Sequence, residues 1–313
     1  MGFTAVFGCV FVDVKGFSYD RYNPLGRNVG DVKIVHGGVC RNVAENLANI
    51  GSPVSFVTMF EPNALGDEVH RRLSARKVNL DYAGEYPAGM GMWLAVMDEN
   101  GELAGSISRQ PDFAGIEGKI DEMGDEIVRA CDNIVLEIDM NEEIARKVFA
   151  LAEKHGKDVY VVVSNMSVIL QHPEFLRKAR LFILNEIEAG ALFDCHLDTA
   201  TREEALAATI KGADRLGIRE IVVTMGGLGA VYYDSAAGES GEIPAQKVRM
   251  VDSTGAGDAF FSGTIAARMR GMPLRTAAEK GTALAALTIQ SEESTCPRME
   301  GFLKDESEGN RDE

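Results

Sequence analysis

Residues Val251 to Ile265 read VDSTGAGDAFFSGTI, a polar, glycine-rich turn that runs straight into a small, apolar helical stretch. Gly255, Ala256 and Gly257 let the backbone come close to a ligand. A helix over Asp258 to Arg270 adds its unpaired N-terminal amides and positive dipole end. Such a turn suits an anion. Asp258 then needs a reason, because a carboxylate repels an anion beside it unless it takes a proton from the group attacking that anion. A base for an attacking hydroxyl, with amide donors for the transferred charge, is the equipment of a phosphoryl transferase. Alternatively, Asp252, Ser253, Thr254 and Asp258 only cap a helix, as such residues often do.

A second glycine-led stretch lies far upstream, where residues 37–51 read GGVCRNVAENLANIG. DSTGAGDAFFSG resembles the C-terminal signature of the PfkB, or ribokinase-like, family of carbohydrate and nucleoside kinases. Gly37, Gly38, Asn42, Ala44, Asn46, Leu47, Ala48 and Gly51 resemble its N-terminal signature. The resemblance runs from Phe3 to Arg298. It implies a three-layer α/β/α fold with a mostly parallel sheet and a small β-sheet lid, and transfer of the ATP γ-phosphate to a primary hydroxyl with Mg2+. Several relatives also use K+ or Na+.

Composition sets independent limits. A chain of 313 residues, 45% hydrophobic and 26% charged, can bury one large core with a small accessory element. A net charge of −16 argues against nucleic acid or an anionic membrane as main partner. The opening residues lack a signal-peptide pattern and no apolar run reaches bilayer length, so the expected location is the cytoplasm. Cys9, Cys40, Cys131, Cys195 and Cys296 lack CxxC spacing and read as reduced thiols. The five histidines lack metal-ligand spacing.

In chain order, Thr4 to Val12 reads as one buried strand with Asp13 at its carboxyl end, where open α/β sheets bind ligands; the resemblance assigns Asp13 to substrate hydroxyls, and a turn or capping aspartate is the alternative. Residues 14–35 and 92–107 change to short alternating segments, the second around Asn100-Gly101, and resemble the lid, through which many family members dimerise. The core is then 1–13, 36–91 and 108–300, with 301–313 an acidic flexible tail. Gly37 and Gly38 permit a hinge and close approach of substrate ahead of a helix over Val39 to Ile50. Asn42, one turn into it, is a further candidate for substrate hydroxyls. Arg41 either contacts substrate or forms an i,i+4 pair with Glu45.

Strands and helices alternate through the middle of the chain, as in a parallel sheet covered on both faces. Asp139 follows the strand Asn133 to Ile138 and either reaches the sugar or opens a helix. Asn185-Glu186-Ile187-Glu188 resembles the NxxE motif of the family, which implies hydrated magnesium near Glu188 with Asn185 close to the nucleotide; the same letters are a capping box. Thr224, Gly226, Gly227 and Gly229 form the turn where the family carries nucleotide contacts, or a plain hairpin. On the helix Leu274 to Ile289, Gly281 and Ala285 suit either an adenine shelf or close helix packing. Asp252 with Ile289 to Ser294 could frame a monovalent-cation site, as in several relatives. GGVCRN, Val12-Asp13-Val14, the MGG turn and GESGEIPA resemble pseudouridine kinases, making pseudouridine the expected acceptor. Trp93 stacks on a base or fills the lid interface. A free-sugar kinase and a non-catalytic ligand sensor are the competing readings.

Overall fold

The computed structural model describes residues 2–303. Its strands are β1 (Thr4–Phe7), β2 (Phe11–Ser18), β3 (Gly30–Gly37), β4 (Val54–Val57), β5 (Met59–Phe60), β6 (Gly84–Glu85), β7 (Gly91–Met97), β8 (Leu103–Arg109), β9 (Asn133–Glu137), β10 (Asp158–Val162), β11 (Leu181–Asn185), β12 (Glu220–Thr224), β13 (Ala230–Asp234) and β14 (Glu239–Ile243). The helices are α1 (Val39–Asn49), α2 (Ala64–Ala75), α3 (Ala114–Ala130), α4 (Glu142–His155), α5 (Ser167–Gln171), α6 (Glu186–Phe193), α7 (Arg202–Leu216), α8 (Ala256–Arg268) and α9 (Leu274–Thr288).

The large sheet runs β14-β13-β12-β11-β10-β9-β1-β4. From β4 to β12 all pairings are parallel, and β13 and β14 add an antiparallel edge. Both faces are covered, because alternate side chains feed two cores. Ala5, Phe7, Ile134, Leu136, Ile221 and Val223 point to one, with Val148 and Phe149 of α4. Val6, Val135 and Val222 point to the other, with Leu47 of α1 and Ile265 of α8.

A separate sheet, β3-β2-β7-β8, forms the lid. It begins earlier than the sequence suggested. The expected strand Thr4 to Val12 is broken at Gly8-Cys9-Val10, where the chain leaves the large sheet for the lid. A side chain at Gly8 would lie 2.2 Å from Cys40 Cβ, and the Cys9 N–H donates to Glu137 Oε2 at 3.0 Å. Asp13 therefore sits within lid strand β2. At the other end Leu303 is buried in the core, so the expected tail 301–313 does not start at Gly301; residues 304–313 lie outside the described residues.

Candidate active site

Gly255, at φ +77°, caps α8 in the left-handed region that favours glycine. A methyl group there would lie 1.9 Å from the Ser294 carbonyl oxygen, so this turn is locked against residues 289–294. Among the described residues the N–H groups of Gly255, Gly257 and Asp258 have no protein partner, whereas that of Ala256 donates back to Ser253 O at 3.2 Å. The donor set thus differs from the expected Gly255, Ala256 and Gly257, because the turn consumes the middle amide and helix geometry frees the next one.

Asp258 and Phe261 of α8 line a cavity of about 230 Å³ with Ser164, Asn185, Glu188, Thr224 and Gly257. A second cavity, of about 490 Å³, shares Asn185, Thr224 and Gly257 and continues past Gly226, Gly227, Gly229, Ala256 and Ala285. The two spaces meet at the glycine turn. Asn42 Nδ2 donates to Asp258 Oδ2 at 2.6 Å. Burial pushes the Asp258 carboxyl up to about 7, with Glu137 adding to the rise and Asn42 and Arg41 opposing it. A half-buried carboxylate at the wall of a cavity with such a value is poised to take a proton near neutral pH.

The NxxE segment is both a capping box and a cleft wall. Asn185 Oδ1 accepts the N–H groups of Ile187 and Glu188, and Glu188 Oε2 accepts that of Asn185 at 2.9 Å. Glu188 Oε1 and Asn185 Nδ2 have no partner among the described residues. Burial raises the Glu188 carboxyl. One free carboxylate oxygen in a polar cleft fits a magnesium ion that keeps most of its waters, and no cluster of three or more ionisable ligands occurs among the described residues. Asp252 Oδ1 accepts the Thr254 N–H at 2.8 Å.

Three expected contacts are corrected. Arg41 is fully buried. It donates to Glu45 at 2.9 Å, to Gly37 O at 3.1 Å, to Ser294 Oγ at 3.3 Å and to His36 O, and with no exposed surface it presents nothing to a substrate. Its place one residue before Asn42 turns it to the back of α1, where Arg72 and Thr295 also bind Glu45. Asp139 is taken up by the loop after β10. Its two oxygens accept from the backbone of Ser164, Asn165, Met166 and Val168 and from Ser167 Oγ, at 2.9 to 3.3 Å. Gly281 faces α8, where a methyl group would meet Thr264 Oγ1 at 2.1 Å; it is a packing glycine, outside the lining of the nucleotide-sized cavity.

On the lid, Asp13 is half-buried, its carboxylate lying against Gly37 and pushed up by burial while Lys15 and Arg41 pull it down. Trp93 shares its face, and Lys15 Nζ lies 5.9 Å from the Trp93 ring centre. Sequence reasoning missed Glu137. This carboxylate is fully enclosed, holds Cys9 and Cys40, and is pushed up to about 7 by burial. Its signal was present, as a charged residue ending an apolar strand.

The pfkB family model of carbohydrate kinases matches residues 1–299. The chain belongs to this family. It is a phosphotransferase with an alcohol group as acceptor. Guanosine-inosine kinase of Exiguobacterium acetylicum is 36% identical over 291 residues, 93% of this chain and 95% of that one. Pseudouridine kinase of Escherichia coli (strain K12) is 24% identical over 300 residues, 95% of this chain and 93% of that one. Arabidopsis thaliana ribokinase, solved with ribose and ATP, shares the fold with a TM-score of 0.81, at 21% identity, over 97% of this chain and 99% of that one. The ribokinase-like architecture expected from the two motifs is thus shown.

Proposed function

We propose that the protein transfers the γ-phosphate of ATP to the primary hydroxyl of a purine nucleoside, with guanosine and inosine as the first acceptors. The observation that carries the chemistry is the part-buried Asp258–Asn42 pair at the junction of two cavities, beside amides without partners. The acceptor class follows the 36% relative, which spans nearly the whole chain.

In this reading the nucleotide occupies the larger cavity, its triphosphate directed at Gly255, Gly257 and Asp258. Magnesium near Glu188 would offset phosphate charge when bound. The acceptor lies under the lid, with Asp13 and Asn42 fixing its hydroxyls. Asp258 takes the acceptor proton as the new O–P bond forms and the bond to the leaving ADP oxygen breaks, while the free amides stabilise the transferred charge. Asp252 and the carbonyls near Ser294 are the proposed monovalent-cation site. No helix among the described residues is long and apolar enough to cross a membrane, in line with a cytoplasmic enzyme.

Homodimerisation through the lid is part of the proposal. Ile34, Val14, Leu94 and Ile107 form one cross-strand row on the lid face opposite Asp13, with Val32 in the next row. Ile107 is 70%, Val32 66% and Ile34 56% exposed. An apolar stripe of this kind favours a partner surface.

Pseudouridine is the second reading, supported by the 24% relative and the GGVCRN segment. The test is ATP consumption with magnesium against guanosine, inosine, adenosine, pseudouridine, ribose and fructose. Selective turnover of guanosine or inosine supports the proposal; preference for pseudouridine or a free sugar replaces it, and silence with every acceptor points to a ligand sensor.

A further inference from the structure

Lys15 on β2 and Lys33 on β3 are directly paired across the antiparallel lid strands. Like charges placed opposite each other destabilise a sheet. Neither lysine has a carboxylate partner among the salt bridges of the described residues. Each ammonium group instead lies over an aromatic ring, Lys15 Nζ over Trp93 and Lys33 Nζ over Phe17, both 5.9 Å from the ring centre. Lys15, Lys33 and Asp13 alternate along their strands in the phase that puts them on one face, away from the apolar row of Ile34 and Leu94.

That face looks toward the start of α1, where the Asp13 carboxylate lies against Gly37, five residues before the Asn42 that holds Asp258. Burial pushes the Asp252 carboxyl up, yet the Thr254 hydrogen bonds and the charges of Lys15 and Lys33 together bring it below the usual range. The cleft needs cations. Asp258 and Glu188 line it, Glu137 and Asp139 lie just behind, and a triphosphate adds further negative charge. Arg41 is spent on Glu45, and Arg109 on Glu61 and Met90 O.

We propose that Lys15, with Lys33 beside it, is a catalytic residue that binds the terminal phosphoryl group of the nucleotide and stays on it through transfer. The repulsion between the two ammonium groups is relieved when a phosphoryl group lies between them. In the transfer the acceptor O–P bond forms, the bond to the ADP oxygen breaks, and the acceptor proton goes to Asp258. This assignment uses the cleft arrangement proposed above but does not depend on which acceptor is used.

The test compares the affinities of AMP-PNP and ADP, each with magnesium and without acceptor, for the full chain and for Lys15→Met, Lys33→Met and Lys15→Arg. AMP-PNP carries the terminal group and ADP lacks it. The methionine variants should lose roughly tenfold in preference for AMP-PNP over ADP, the size expected for one charge-assisted contact, while Lys15→Arg retains it. Without nucleotide, Lys33→Met should melt at a higher temperature than the parent, a gain that a merely structural lysine would not give. Equal losses for both nucleotides, or an unchanged preference, would each overturn the proposal. Because the readout needs no acceptor, it stays decisive even if guanosine and inosine are not turned over.

Discussion

Asn42 on α1 and Asp258 on α8, 216 residues apart in the chain, are joined by a 2.6 Å hydrogen bond beneath the glycine turn. The bond stabilises the ionised carboxylate, while burial and the neighbouring Glu137 favour the protonated one. The balance sets the pH at which the base is ready.

Activity should therefore rise with pH through about 7, because Asp258 must be ionised to accept a proton. Asn42→Ala should move the rising limb of kcat/KM to higher pH, and Glu137→Gln should move it lower. Since Asp258 and Glu137 titrate in the same range, the limb reports the pair. A rate independent of pH from about 5.5 to about 8.5 would contradict this assignment.

The same groups act on stability with the opposite sign. Both carboxyls have folded values above those of the unfolded chain, so the folded state holds protons that unfolding releases between about pH 4 and about pH 7. Stability should fall as pH rises through that window, and Glu137→Gln should flatten the fall. Thermal midpoints measured across the window check both statements.

Gly255→Ala should remove activity, since its methyl group meets the Ser294 carbonyl at 1.9 Å and the backbone there is left-handed. The turn must open to admit it, which displaces the free amides. Loss of roughly 10²-fold or more in kcat with native-like circular dichroism is expected, by analogy with removing one oxyanion donor; unchanged kcat would show that the turn has no part in transfer.

Arg41→Ala should act on stability first. Removing one partner of a buried ion pair leaves Glu45 less compensated, a loss of about 3 to 5 kcal/mol, lessened by the contact Arg72 makes with the same carboxylate. Denaturant unfolding measures it. A substrate contact would instead raise KM with little change in stability.

Leu94→Glu and Ile107→Glu should give monomers if the lid face is the dimer contact, because each places a charge within the apolar row. Sedimentation of the parent and variants decides this, and a monomeric parent would end the dimer proposal.

The turn at Gly255 to Asp258 and the segment Asn185 to Glu188 were readable in the sequence because their chemistry depends on backbone conformation and helix starts, which have local signatures. The turn from Thr224 to Gly229 was readable for the same local reason, and it joins β12 to β13 in the structure. Arg41 was not, because a surface i,i+4 pair and a buried one have the same spacing; only Arg72, Thr295 and Ser294, brought in from elsewhere, decide between them. Asp139 was misread because the amides that occupy it belong to a loop some 25 residues later. Lys15 and Lys33 gain meaning only from strand register.

The most direct test of the account is Asp258→Asn, assayed with the acceptor that the parent enzyme uses, alongside ATP binding. The account predicts a fall in turnover of roughly 10²-fold or more with ATP affinity almost unchanged, as expected for loss of a general base. Turnover close to that of the parent would contradict it, because no other carboxylate lining the cleft holds this position against Asn42.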